Sequence, residues 1–272
     1  MTSELALKQL ETRSLARRQT YLLYFNHMKR PAYSKIGISI LAIAFTTVGG
    51  CAKAPAGSVA NVGSMLLISF KVAGRVRPDY FYFVLFNTAP NSPHGPIPVT
   101  SAPWGNGFAA GEFDHFVRYD QSQPNGGYGI YSVVPGSQLR TFTYLGSPTQ
   151  FTPVDTNSNT LSFQIPLAEL ATSGVPAGSI NQVQINFIAT DRIPVDPNDP
   201  NTKLFDALGD ARQPGGVNDP ITIPTTQSAV FQNSSSITPE PSGDVTETGN
   251  GHFVTVTEPD LDIVDWRVEV RD

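Results

Sequence analysis

Few residues in this chain are of a type that does chemistry, and their spacing narrows the options further. Of the 4 histidines, His94, His115 and His252 follow residue 50, and Cys51 is the single cysteine. Neither H-E-x-x-H nor G-x-S-x-G occurs, so metalloprotease and serine-hydrolase signatures are missing. Glu112 and Asp114 lie two apart and share a face if their segment is a strand. Two carboxyl groups so placed could serve glycosidic bond cleavage, where their separation decides the outcome; a solvated strand face explains them more simply. His115 falls among Phe113, Val117 and Tyr119, which puts it in or beside the core.

Oxygen ligands gather in Asp191–Asn201, where Asp191, Asp196, Asn198 and Asp199 are candidates for a calcium ion, with Asp206 and Asp210 following. Calcium takes six to eight hard oxygens in a flexible shell. The spacing does not match D-x-[DN]-x-[DN]-G, and Asp-Pro and Asn-Asp pairs also form ordinary turns. Trp104, Tyr128, Tyr131 and Tyr144 supply flat rings that could stack on a sugar, with Trp104 expected in an exposed loop. The competing use of such rings is core packing. Gly105-Asn106-Gly107-Phe108-Ala109-Ala110 fits a dinucleotide fingerprint in letters only. A Pro-rich loop precedes it and a strand pattern follows, where the chemistry needs a strand and then a helix.

The segments that must position these groups read as strands. Met65–Ala73 alternates, with Leu66, Ile68, Phe70 and Val72 on one face. Asp79–Thr88 is apolar on both faces, the mark of a strand in the middle of a packed sandwich. Further strands are expected at Phe113–Tyr119, Tyr128–Val134, Gln138–Leu145, Thr160–Ile165, Val183–Ala189, His252–Thr257 and Asp262–Arg271. Pro166 opens one helical turn, Leu167–Ala171. Ala89–Gly111, 191–224 and 225–251 read as loops, the last biased toward Ser, Thr and Pro. About nine strands without a sustained helix predict an all-β fold, an antiparallel β-sandwich with a barrel as the alternative.

Upstream of this body lies an export signal. Lys29, Arg30 and Lys35 form a positive region, Ile36 to Val48 an apolar one, and small residues precede Cys51. Val48-Gly49-Gly50-Cys51 resembles the lipobox of bacterial lipoproteins, although Gly49 stands where that family more often has Ala or Ser. The resemblance implies a helical signal over 28–50, cleavage before Cys51 and acylation of its sulfur and amino group, which leaves no free thiol nucleophile. Ala52 after the cysteine implies the outer membrane in a Gram-negative envelope. The run Ile36–Ala52 is 17 residues, at the lower limit of a bilayer span, so an uncleaved anchor is the rival reading and a core helix the third. Met28 opens a signal of ordinary length, so residues 1–27 are expected to be a mis-assigned or disordered extension; an amphipathic extension is the alternative. Residues 51–64, rich in Ala, Gly and Ser, are expected to tether a single domain spanning 65–272.

Of the 18 Lys+Arg and 23 Asp+Glu, 7 and 2 fall before residue 51, so the remaining 222 residues carry a net charge of −10. A body this acidic repels phosphate backbones, which argues against nucleic acid as a partner. With one cysteine it forms no internal disulfide, so a buried core must hold it. Leu161–Asp191, a strand, Pro-Leu-Ala-Glu-Leu, and a strand ending in Ala-Thr-Asp, is similar to part of the DOMON-like sandwiches and of glucodextranase-type C-terminal sandwiches. The Met and His that ligate haem in the former have no counterpart here, Met65 being the only methionine after the signal. That likeness implies the fold and no ligand. Together these features predict a non-enzymatic, lipid-anchored envelope protein that binds a glycan or an envelope protein or serves structurally. The alternatives are a carbohydrate binder with structural calcium and a hydrolase using acidic residues.

Overall fold

The computed structural model describes residues 63–89, 94–135 and 141–272. The expected extension, signal, Cys51 and most of the tether lie outside the described residues, as does the start of the expected strand Gln138–Leu145. Among the described residues the strands run in chain order as β1 (Met65–Val72), β2 (Phe81–Asn87), β3 (Pro96–Pro98), β4 (Ala109–Gly111), β5 (His115–Tyr119) and β6 (Tyr128–Val133). Then come β7 (Phe142–Gly146), β8 (Gln150–Phe151), β9 (Thr160–Pro166), β10 (Gln182–Thr190) and β11 (Lys203–Ala207). The last are β12 (Ile221–Pro224), β13 (Ala229–Gln232), β14 (Thr246–Gly249), β15 (His252–Thr255) and β16 (Ile263–Arg271).

Among the described residues two large antiparallel sheets form beside the two-stranded pair β3–β4, and none closes into a barrel. The smaller has the order β13-β16-β1-β9-β8. The larger runs β15-β14-β11-β10-β2-β5-β6-β7, with β12 also paired to β10. The alternation of β1 decides which side goes in: Leu66, Ile68, Phe70 and Val72 are buried, and Ile68 lies opposite both Val268 and Phe163. In β16 the alternation becomes regular only after Val264, because Lys71 pairs with Asp265 and Val72 with Ile263, which leaves Val264 as an extra residue. An inserted residue of this kind is a β-bulge.

The doubly apolar strand lies where its pattern requires. Tyr82, Val84 and Phe86 of β2 join the core between the sheets, with Phe70, Phe187 and Trp266. Phe83 and Leu85 point the other way into a second cluster with Phe108, Phe116, Ile188 and Phe205. There Phe83 and Phe108 stack with ring centroids 4.2 Å apart. A third layer therefore covers the outer face of the larger sheet, and the expected loop Ala89–Gly111 supplies part of it as the β3–β4 hairpin.

The two other expected loops are corrected in the same way. Residues 191–224 carry β11 and β12, and 225–251 carry β13 and β14. Their strands are short, and buried Lys203, Asp206, Thr246 and Thr248 interrupt the apolar pattern. Leu167–Ala171 forms one 3-10 turn at Leu167–Leu170 as its proline anticipates.

Because Phe83 and Phe187 are both fully buried, in different clusters, truncating either to alanine should cost about 3–5 kcal/mol in urea unfolding. A Phe83→Ala loss below about 0.5 kcal/mol would show that the outer layer is not a core.

Candidate functional site

The most unusual polar grouping sits where the end of β11 meets the start of β16. Among the described residues, Asp206, Glu240 and Asp244 bring carboxylate oxygens within 4.8 Å of one another. Asp206 and Asp244 are fully buried, and Glu240 is partly buried. Asp206 belongs to β11, where its neighbours Phe205 and Ala207 enter the outer core and turn it to the opposite side. From there it joins the sheets, accepting the backbone N–H of Ala207 at 2.9 Å and that of Ile263 at 2.6 Å. Asp244 Oδ2 accepts the N–H of Ala211 at 2.9 Å, and Glu240 Oε2 that of Gly209 at 3.0 Å. Glu240 is itself presented by Asn233, whose Oδ1 accepts its backbone N–H at 2.7 Å while Nδ2 donates to Val264 O.

The charges here are poorly compensated. Asp262, buried close by, accepts from Gly243 N and Ser242 Oγ. Arg212 pairs with Asp210 at 2.7 Å, and none of the ion pairs among the described residues reaches the three clustered carboxyls. Burial, reinforced by neighbouring carboxylates, pushes Glu240 up to about 9 and Asp244 to about 6. It drives Asp206 well above the usual carboxylate range. Beside the cluster, Glu240, Gly209, Asp210, Leu208 and Trp266 line a cavity of about 380 Å³.

The expected calcium ligands are not brought together. Asp191 Oδ1 accepts Leu204 N, Asp196 Oδ1 accepts Asn198 N, and Asp199 Oδ1 accepts Asn201 N. Asp199 also pairs with Arg192. Asp196 and Asp199 are each used in a turn of their own, which is what Asp does in such sequences, while Asp191 reaches thirteen positions along the chain to Leu204. Asp206 was legible as an acidic residue inside the apolar run Leu204–Leu208. Glu240 and Asp244 were missed because they sit in a stretch that reads as a polar loop.

Trp104 is a correction. It is 0% exposed, not an exposed loop ring. Its Nε1 donates to Asp199 O at 2.8 Å and its N–H to Pro197 O at 2.9 Å. The Lys203 ammonium lies 5.4 Å from its ring centre and donates to Gly107 O at 3.0 Å. A Cβ on Gly249 would come within 3.0 Å of the indole, so backbone closes over the ring. Tyr128 is buried as well, among Tyr119, Phe151 and Phe163. Tyr131 is half-buried, stacked on Phe116 with centroids 4.9 Å apart, and Tyr144 beside it is 43% exposed.

Of Glu112 and Asp114, the second is committed to its immediate neighbours. Asp114 accepts from Thr88 N at 2.8 Å and from its Oγ1 at 2.5 Å, and contacts His115 Nδ1 at 2.8 Å. The hydroxyl meets the carboxylate and not the imidazole, so His115 has no hydroxyl nucleophile to activate here. Buried at 3% exposure, His115 is the satisfied core histidine expected. Gly105 and Gly107 adopt positive φ in a turn that leads to β4, with no helix behind it.

Two outcomes follow. Trp104→Ala should destabilise the domain by about 3–5 kcal/mol in urea unfolding; wild-type stability would contradict the enclosure of its ring. A carboxyl held above its unfolded value binds its proton more tightly in the folded chain. With no divalent ion present, the contribution of these carboxyls to stability should therefore be full below about pH 4.5 and be lost toward about pH 9, by up to about 1.4 kcal/mol per pH unit for each such group. Glu240→Gln should flatten that profile in melting curves, and identical profiles would refute the assignment. No family model, curated protein or solved structure matches this chain, so a functional reading rests on its own residues.

Proposed function

We propose that this chain is an extracytoplasmic, lipid-anchored β-sandwich that binds a partner in the cell envelope or serves there structurally, without catalysis. The observation that carries the reading is the position of Cys51. The single thiol ends the uncharged run Ile36–Gly50 and precedes by 14 positions the first strand of the sandwich, which begins at Met65. Two or more acyl chains on that cysteine would hold the body stably, whereas one would be marginal. The body's charge of −10 argues against a basic patch as a second membrane signal. Two of the acidic residues are committed locally, Asp114 to Thr88 and His115, and Asp199 to Arg192.

Glycan capture is a second reading. Since Trp104 and Tyr128 are enclosed, it rests on the exposed ring of Tyr144 beside Tyr131, whose hydroxyl donates to Gln123 Oε1 at 2.6 Å.

Feeding cells an alkyne-tagged fatty acid tests the anchor. Wild-type protein should take up the label and show an intact mass beginning at an acylated Cys51, and Cys51→Ala should remain unlabelled and uncleaved. Unlabelled wild-type protein that retains Met28–Gly50 would overturn the reading. On a glycan array, Tyr144→Ala should abolish any retention; equal retention by wild type and variant would remove the second reading.

A further inference from the structure

We propose that Asp206, Glu240 and Asp244 form a buried site for a divalent cation of the calcium class, which clamps residues 236–244 onto the corner where the two sheets meet. The proposal is independent of the anchor at Cys51.

The geometry of the oxygens carries it. Among the described residues three buried side-chain N or O atoms lack a hydrogen-bond partner, and two of them are Glu240 Oε1 and Asp244 Oδ1. Asp244 is 0% exposed, so no bulk water reaches that free oxygen. The second oxygen of each carboxylate is already held by a backbone N–H, from Gly209 and Ala211 respectively. Such an arrangement fixes each of these two carboxylates as an acceptor and leaves its other oxygen without a partner. An unpaired buried oxygen costs about 1–3 kcal/mol, and more when it carries charge; a cation removes that cost at both atoms together.

Size and hardness select the ion. Calcium–oxygen bonds of about 2.3–2.6 Å let two ligands lie up to about 5 Å apart across one ion, and the three carboxylates fall within 4.8 Å. All donors are oxygen, with no imidazole or thiolate to favour a softer metal. Magnesium needs a tighter shell and gives up water reluctantly, which suits this enclosed corner less. Of the three carboxylates Glu240 lines the neighbouring cavity, which it shares with Trp266, and an ion would enter from that side. A divalent ion leaves about one negative charge on the three carboxylates, facing the four backbone N–H groups of Ala207, Gly209, Ala211 and Ile263.

The test uses the full chain extracted in mild detergent and stripped with EDTA. Calcium chloride at 100 times its Kd should raise Tm by about 5–10 °C, and EDTA should reverse the rise. Terbium, as a calcium substitute, should emit when Trp266 is excited. Asp244→Asn keeps the acceptor for Ala211 and should fold; it and Glu240→Gln should each weaken the calcium response at least tenfold and remove the terbium signal. An unchanged wild-type Tm, a full response in both variants, or an equal response to magnesium would each overturn the proposal.

Discussion

The structure depends on burying β2 from both sides. Its sequence Phe-Tyr-Phe-Val-Leu-Phe-Asn leaves no face for water, and six of its seven residues are buried. One face closes against the smaller sheet through Phe70, Phe163 and Val268. The other has no second sheet to meet, so Phe83 and Leu85 need a cover assembled from hairpin and loop. The rest of the fold follows from that requirement, because loop backbone carries polar groups that must be satisfied wherever it is buried.

Buried polar side chains satisfy them. Asn186 of β10 is 0% exposed, donating to Pro96 O at 3.0 Å and accepting Leu208 N at 3.2 Å. It thereby fastens both the β3–β4 hairpin and the 208–217 segment to the sheet. Thr248 donates to Thr100 O, Thr246 to Ala211 O and Lys203 to Gly107 O. Trp104 fills the remaining space, and its indole N–H reaches Asp199 O. Each contact replaces a water bond with a protein bond, a modest gain individually but a large loss if one partner is deleted. For Lys203 the balance is visible in its acidity: burial lowers its ammonium to about 7, against a smaller opposing pull from Asp191.

The carboxylate corner follows the same logic where it works least completely. Backbone N–H groups hold both oxygens of Asp206 and one each of Glu240 and Asp244, yet like charges are packed together and two oxygens have no partner. Protons or a cation must make up the difference. The three residues lie next to the β11–β14 pairing, and Asp206 also holds the start of β16 through Ile263 N.

The all-β class, the two-faced β2, the alternating β1, β9 and β16, and the single turn after Pro166 were legible in the sequence. Side-chain periodicity is a local property, and these runs are long enough to display it. The position of Cys51 after an uncharged run is local in the same sense. What tertiary structure alone decided is which polar stretches become buried. Trp104 reads as a loop ring until the 191–203 segment and Gly249 fold over it. Asp206, Glu240 and Asp244 are 34 and 38 positions apart from first to second and first to third, and no short window contains them together. Their meeting follows from the pairing of β10, β11 and β14, a long-range arrangement that local pattern does not encode.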